Sequence, residues 1–182
     1  MLRTVPATRD FSQIARLAGV VVFTLLTAIS ARMQIDLVPV PFTFQPLVVI
    51  FAGLVLGARD GALSQLLYVA LIALNAPLDA RMLGAAAFAS GTGGFLIGFI
   101  PAAWTAGFLA QRGASQLWVR WLAGVAALVV LYVFGCTWLL IIGRPPTVVI
   151  ENVIRPLFGL DLIKALAAAA LTETGRRLLL RG

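Results

Sequence analysis

Asp161 and Lys164 stand three residues apart at the head of RPLFGLDLIKALAAAAL, a run otherwise dominated by alanine and leucine. Residues at i and i+3 share a helix face. A carboxylate and an ammonium meeting there form a pair that accepts from one ligand group and donates to another. With Pro156 in the first turn, where its missing N–H costs nothing, Asp161 lies about 7–8 Å below the helix end at 1.5 Å per residue. The same face continues through Ala165, Ala168 and Thr172, a strip of small residues suited to close helix contact. The two polar heads therefore point into a bundle, and ionisable groups inside a membrane are by default functional-site candidates. The alternative is a carboxylate favoured by the helix-start dipole, beside a lysine that snorkels outward.

Composition sets the environment of that pair. Of 182 residues, 61% are hydrophobic and 12% charged, against about 25% charged in soluble domains. The mean hydropathy is +1.01, so the chain reads as an integral membrane protein. One cysteine, Cys136, excludes an intramolecular disulfide or a cysteine-based cluster, and the absence of histidine removes the commonest metal ligand and general base. No cofactor or metal is expected. The net charge of +7 is spread singly over the ends of apolar runs. That distribution reads as a membrane orientation signal rather than a nucleic-acid face.

Charges and turn residues divide the chain into six apolar segments at about 14–34, 45–57, 62–78, 94–110, 117–142 and 156–177. The expectation is an all-α, six-transmembrane-helix bundle forming one membrane domain over 1–182. The first apolar run reads as a retained span, because a secretory leader has a shorter charged region and precedes a soluble product. Some segments fall short of the ~20 residues a simple span needs, which is tolerated where they are buried or line a cavity. With both termini inside, Arg3, Arg9, Arg16, Arg59, Arg112, Arg120, Arg176, Arg177 and Arg181 lie on the inner side, and Arg32, Arg81, Arg144 and Arg155 on the outer. Nine against four favours N-in and C-in. The inner connections GARDGA and QRGAS are short, whereas DLVPVPFTFQP, NAPLDARMLGAAAFASGTGG and GRPPTVVIENVIRP are long. Long loops tend to carry function, so work is expected at the outer face.

Four further groups join the pair as candidates. In VPVPFTFQP, a proline-stiffened extended stretch, Phe42 and Phe44 alternate with Thr43 and Gln45, so aromatic and polar groups face opposite ways. This segment reads as a lid over an outer pocket or as an interfacial connector. Within SGTGGF, Thr92, Gly93 and Gly94 open a helix where backbone N–H groups can meet a ligand, or where helices simply pack tightly. Asn75 is placed to hydrogen-bond a polar ligand. Asp79 and Arg81 read as a solvated pair, with Arg81 retained in the ligand-binding set together with Tyr68 of the third segment. Thr24, Thr27, Ala28 and Ala31 form small-xxx-small pairs on the first helix, suited to internal packing or to docking a partner subunit.

Three blocks together resemble the BioY family, the biotin-binding S components of energy-coupling-factor (ECF) transporters. They are PVPFTFQPLVVIFAGLVLGARDGALSQLLYVALIALNAP, GTGGFLIGF and RPLFGLDLIKALAAAAL, in the family's order and spacing, reaching from about residue 30 to 171. Gly91, Phe95 and Leu160 stand where the family usually has proline, tyrosine and glycine.

The resemblance implies a six-helix S component of the bacterial cytoplasmic membrane that captures biotin from outside, with Asp161 and Lys164 contributing to the pocket. It also implies partners: a transmembrane coupling subunit and two ABC-type ATPases, since no Walker lysine motif is present. On this reading Asp161 accepts a ureido N–H of biotin, and Lys164 pairs with Asp161 and donates to a ligand oxygen. The glycines at 93–94 admit the ring, and the Phe42–Gln45 loop covers it. Rival readings are an S component for another small vitamin, and a small membrane enzyme using Asp161 and Lys164 as acid and base. The enzyme reading lacks an accompanying nucleophile or metal cluster.

Overall fold

The computed structural model describes residues 13–113 and 116–179. Arg3, Arg9 and Arg181, counted in the charge argument above, lie outside the described residues, as do positions 114–115 of the QRGAS connection. Helix α1 (Gln13–Arg32) is followed by two short strands, β1 (Gln34–Ile35) and β2 (Phe42–Thr43). These pair antiparallel, Gln34 opposite Thr43 and Ile35 opposite Phe42. Then come α2 (Gln45–Ala73), a 3-10 turn (Gly84–Ala89), α3 (Gly93–Arg112) and α4 (Leu117–Ile141). The chain ends in the single turn α5 (Pro146–Val149), a π-helical turn (Ile150–Ile154) and α6 (Arg155–Leu179). Among the described residues, four helices, α1 to α4, are long and apolar enough to cross a membrane.

Helix α2 is a hairpin rather than a rod. Gly57 takes φ 85° and ψ 177°, a backbone region essentially confined to glycine, and the chain reverses there. The amide of Gln45 thus reaches the Tyr68 hydroxyl at 2.7 Å across 23 positions of sequence, a span of about 34 Å in a straight helix. Two arms, 45–56 and 58–73, result. These arms correspond to the segments read at 45–57 and 62–78 on either side of the short connection GARDGA, except that the second arm begins at 58 and ends at Ala73. The reason lies in Asp60, which is buried and held by Nε and Nη2 of Arg16 at 2.9 and 2.8 Å. With its charge paired, GARDGA needs no solvated loop.

The outer connection 143–155 also differs from expectation, since Pro146 starts a helical turn there and the chain stays helical into α6. Proline suits this first position because its fixed φ is already helical. The bundle is built on α2, which packs against α1, α3 and α6, while α4 joins α3 to α6. Close approach depends on glycine: a Cβ on Gly53 would meet the Ala103 carbonyl oxygen at 2.2 Å. Val49, Ile50, Tyr68, Leu128, Leu131 and Leu139 lie in the one large core between these helices.

The small residues of α1 turn inward. Thr24 donates to the Ser64 carbonyl at 2.9 Å, and Gln65 donates to the Thr27 hydroxyl at 3.2 Å. Thr24, Thr27 and Ala31 are fully covered, with Ala28 partly buried against the core. Of the two readings of this small-residue face, internal packing or partner docking, the contacts of Thr24 and Thr27 with the second arm of α2 support internal packing.

Candidate functional site

Asp161 and Lys164 sit in the second and third turns of α6, with 4% and 5% of their surfaces exposed. Helical spacing brings Lys164 Nζ to 2.6 Å from Asp161 Oδ1. The same ammonium donates to the Thr43 carbonyl oxygen at 2.6 Å and lies 3.7 Å above the Phe42 ring centre. Its three N–H directions are thus met by a carboxylate, a carbonyl and a π face. Isolated charges at this depth would carry a desolvation penalty of several kcal/mol each, and these contacts offset it. Tyr132 of α4 donates to Asp161 Oδ2 at 2.7 Å. A carboxylate offers about four lone-pair sites, so Asp161 keeps acceptor capacity for a ligand.

Around this pair lies a small cleft, part of it open to solvent. One wall is apolar: Phe95, Leu96 and Phe99 of α3, Leu131 of α4 and Leu157 of α6. Residues Val40 to Thr43, Gln45 and Pro46 form another wall, with Thr92 at the start of α3. Phe95 and Phe158 meet the Tyr132 ring edge-on at 5.9 and 5.2 Å, which fixes the phenol that addresses Asp161.

The extended stretch before α2 supplies the site's second polar group. Thr43 Oγ1 accepts from the Gln45 backbone N–H at 3.2 Å, and Gln45 Nε2 donates to Tyr68, which donates onward to the Leu78 carbonyl. Tyr68 is fully buried and orients Gln45 without lining the cleft. Of the sequence candidates, Phe42, Thr43, Gln45, Thr92, Asp161 and Lys164 converge here.

The others lie elsewhere. A Cβ on Gly94 would stand 2.2 Å from Trp138 Cβ, and one on Gly93 2.3 Å from the Phe88 carbonyl oxygen. These glycines set the approach of α3 to α4 and to the 3-10 turn, and neither lines the cleft. Asn75 is exposed, takes φ 69°, and accepts from the Ala85 N–H at 3.2 Å, so it shapes the loop after α2. Arg81 donates to Asp36 Oδ1 and to the Leu37 carbonyl oxygen, tying that loop to the segment after β1. Asp79 is buried rather than solvated: its oxygens accept from the backbone of Arg81 and Gly84, and its carbonyl accepts from Arg32. Tyr132 was missed by sequence reasoning. Its one signal was being a lone phenol in a long apolar run, and its orientation depends on how α4 is rotated.

Comparison with known proteins gives a consistent result. The family model described as "BioY family" matches residues 4–181. The Biotin transporter BioY of Rhizobium etli is 39% identical over 176 residues, covering 91% of this chain and 91% of that protein. The Biotin transporter BioY of Thermotoga maritima is 38% identical over 149 residues, covering 81% and 88%. Among solved structures, the S-component for biotin from an ECF-type ABC transporter superposes with a TM-score of 0.82 over 94% of this chain and 95% of that one. Its sequence identity of 21% makes this a likeness of fold. On the family match and on relatives of this identity and coverage, the chain belongs to the BioY family.

Proposed function

We propose that this chain is the substrate-binding component of a biotin uptake system, and that biotin occupies the cleft between α3, α4, α6 and the Val40–Pro46 stretch. The carrying observation is the buried Asp161–Lys164 pair opening onto an apolar cleft, in a chain whose relatives are named biotin transporters. Biotin presents a ureido ring with two N–H donors and a carbonyl, an apolar bicycle and a carboxylate tail. Asp161 is the acceptor for a ureido N–H, and Lys164 donates to a ligand oxygen by giving up its contact with the Phe42 face. Phe95, Leu96, Phe99, Leu131 and Leu157 take the apolar ring, whose burial contributes roughly 25 cal/mol per Å².

Six membrane passages with both termini inside follow if the two arms of α2 cross as separate short passes and α6 crosses despite its charges. The charge distribution supports that orientation: Arg16, Arg59, Arg112, Arg120, Arg176 and Arg177 gather at the end opposite the cleft. The cleft then opens outward, in the cytoplasmic membrane of a bacterium. The only lysine in the chain is Lys164, between Ile163 and Ala165, so the sequence carries no P-loop for ATP. ATP-driven uptake therefore requires a transmembrane coupling subunit and two ABC-type ATPases as partners.

Calorimetric titration of the purified protein with biotin tests the ligand assignment. Binding is expected in the parent, with large losses in Asp161→Asn and Lys164→Ala. Unchanged affinity in both variants, or no binding by a folded parent, overturns it; preferential binding of a different vitamin assigns the cleft to that compound. Cysteine accessibility scanning at Arg59 and Arg144, in a Cys136→Ser background, tests the orientation. Labelling of position 59 from outside the cell overturns it.

A further inference from the structure

We infer that the end of the bundle opposite the cleft carries a binding site for the phosphate group of an anionic phospholipid, built by Arg120 of α4 with Arg176 and Arg177 of α6. All three guanidinium groups converge on one carboxylate. Glu173 accepts from Arg176 Nε and Nη2 at 3.2 and 2.7 Å and from Arg177 Nε at 3.0 Å. Arg120 Nε stands 3.8 Å from Glu173 Oε2, beyond hydrogen-bond range. Three positive charges against one negative leave two uncompensated.

Arg120 is the informative member. It is 6% exposed, yet among the described residues its guanidinium makes no hydrogen bond and has that one long ion pair. Guanidinium carries five N–H donors, and the Arg120 nitrogens, without a hydrogen bond, keep a little exposed surface through which an anion can reach them. Phosphodiester oxygens fit the planar fork of arginine. Arg120 also sits in the first turn of α4, where the helix dipole favours negative charge.

The surroundings distinguish a lipid from a free ion. Trp118, two residues before Arg120, is exposed, as are Leu117 and Leu122 on α4 and Leu171 and Leu178 on α6. Tryptophan concentrates at headgroup level, so this cluster lies where leaflet phosphates lie, with apolar surface on both helices for acyl chains. Basic pockets between membrane helices on the cytoplasmic side bind anionic headgroups in the same way. This site stands apart from the biotin cleft and does not depend on it.

Native mass spectrometry of the full-length protein in detergent tests the inference, with phosphatidylglycerol or phosphatidylcholine added at equal concentration. One phosphatidylglycerol is expected to be retained at least about fivefold more than phosphatidylcholine. Arg177→Gln, a change at an exposed position, and Arg176→Gln are each expected to reduce that retention severalfold while biotin binding stays unchanged. Arg120→Gln, where it folds, is expected to abolish the preference. Equal retention of the two lipids, or parental retention in both the Arg176 and Arg177 variants, overturns the proposal. So does displacement of phosphatidylglycerol by inorganic phosphate at millimolar concentration, which would make the site one for a free anion.

Discussion

Tyr132 on α4 donates to Oδ2 of Asp161 on α6 across 2.7 Å, so the carboxylate at the cleft is held from two helices at once. Lys164 takes the other oxygen from within α6. The ionised carboxylate is thereby aimed before any ligand arrives, and binding spends less on ordering it.

Tyr132→Phe removes that donor and leaves Oδ2 without its protein partner. A hydrogen bond to a charged group contributes about 1.5–3 kcal/mol, so the variant is expected to unfold at lower temperature and to bind biotin more weakly. The shape of the ring and its edge contacts with Phe95 and Phe158 survive the change. Thermal unfolding with and without saturating biotin checks this: the loss is expected in both series. A variant indistinguishable from the parent in both would show that the phenol does not hold Asp161.

Breaking a buried pair by removing one partner costs about 3–5 kcal/mol, while replacing both is far milder. Asp161→Asn and Lys164→Met are each expected to destabilise strongly, and the double variant less than the sum of the two. Biotin binding is expected to be lost in all three, because the double variant restores packing without restoring the acceptor and donor. A double-mutant cycle from thermal unfolding, run beside biotin titrations, measures both effects. Additive losses would mean that the pair is not coupled.

How far the sequence discloses this site follows from the range of the interactions. Asp161 and Lys164 meet through one turn of one helix, and Thr43 meets Gln45 within three consecutive residues, so spacing alone finds them. Tyr132 meets Asp161 across 29 residues, and Lys164 meets Thr43 across 121. Those contacts depend on helix rotation and docking, which periodicity leaves open in segments that are apolar nearly all round. Gly93 and Gly94 illustrate a different ambiguity. Close approach to a ligand and close approach to Trp138 both call for glycine, and composition does not separate them. The reversal in α2 is legible, since segments 45–57 and 62–78 meet at the short connection GARDGA; what spacing leaves open is that Gly57 alone makes the turn, while Asp60, paired with Arg16, lies within the second arm.

Arg81 lies outside the cleft but fastens one of its walls. It donates to Asp36, to the Leu37 carbonyl at 2.7 Å and to the Pro39 carbonyl at 3.4 Å, just before the Val40–Thr43 wall. Its ion pair with exposed Asp36 contributes little to global stability, about 0–1 kcal/mol. Arg81→Ala is therefore expected to leave thermal unfolding nearly unchanged while biotin dissociates several times faster. Arg81→Lys, which lacks the planar fork, is expected to behave nearly as poorly. Stopped-flow dissociation of bound biotin separates this from a ligand-contact role, for which affinity would collapse rather than exchange accelerate.

Gly57 controls the geometry at a distance. At φ 85° and ψ 177° the position is strained for any other residue by about 1–3 kcal/mol. An added Cβ would also stand 2.2 Å from Gln111 Nε2. The second obstacle is the end of a flexible side chain and can move aside, whereas the backbone strain cannot. Gly57→Ala is thus expected to destabilise the fold, and Gly57→Ala with Gln111→Ala to recover less than half of the loss. Because this turn folds the arms that hold Gln45 against Tyr68, the single variant is also expected to weaken biotin binding, although it changes nothing at the cleft. Thermal unfolding and biotin titration of the parent and both variants decide the matter. Full recovery on trimming Gln111 would assign the whole effect to the clash and remove the backbone argument.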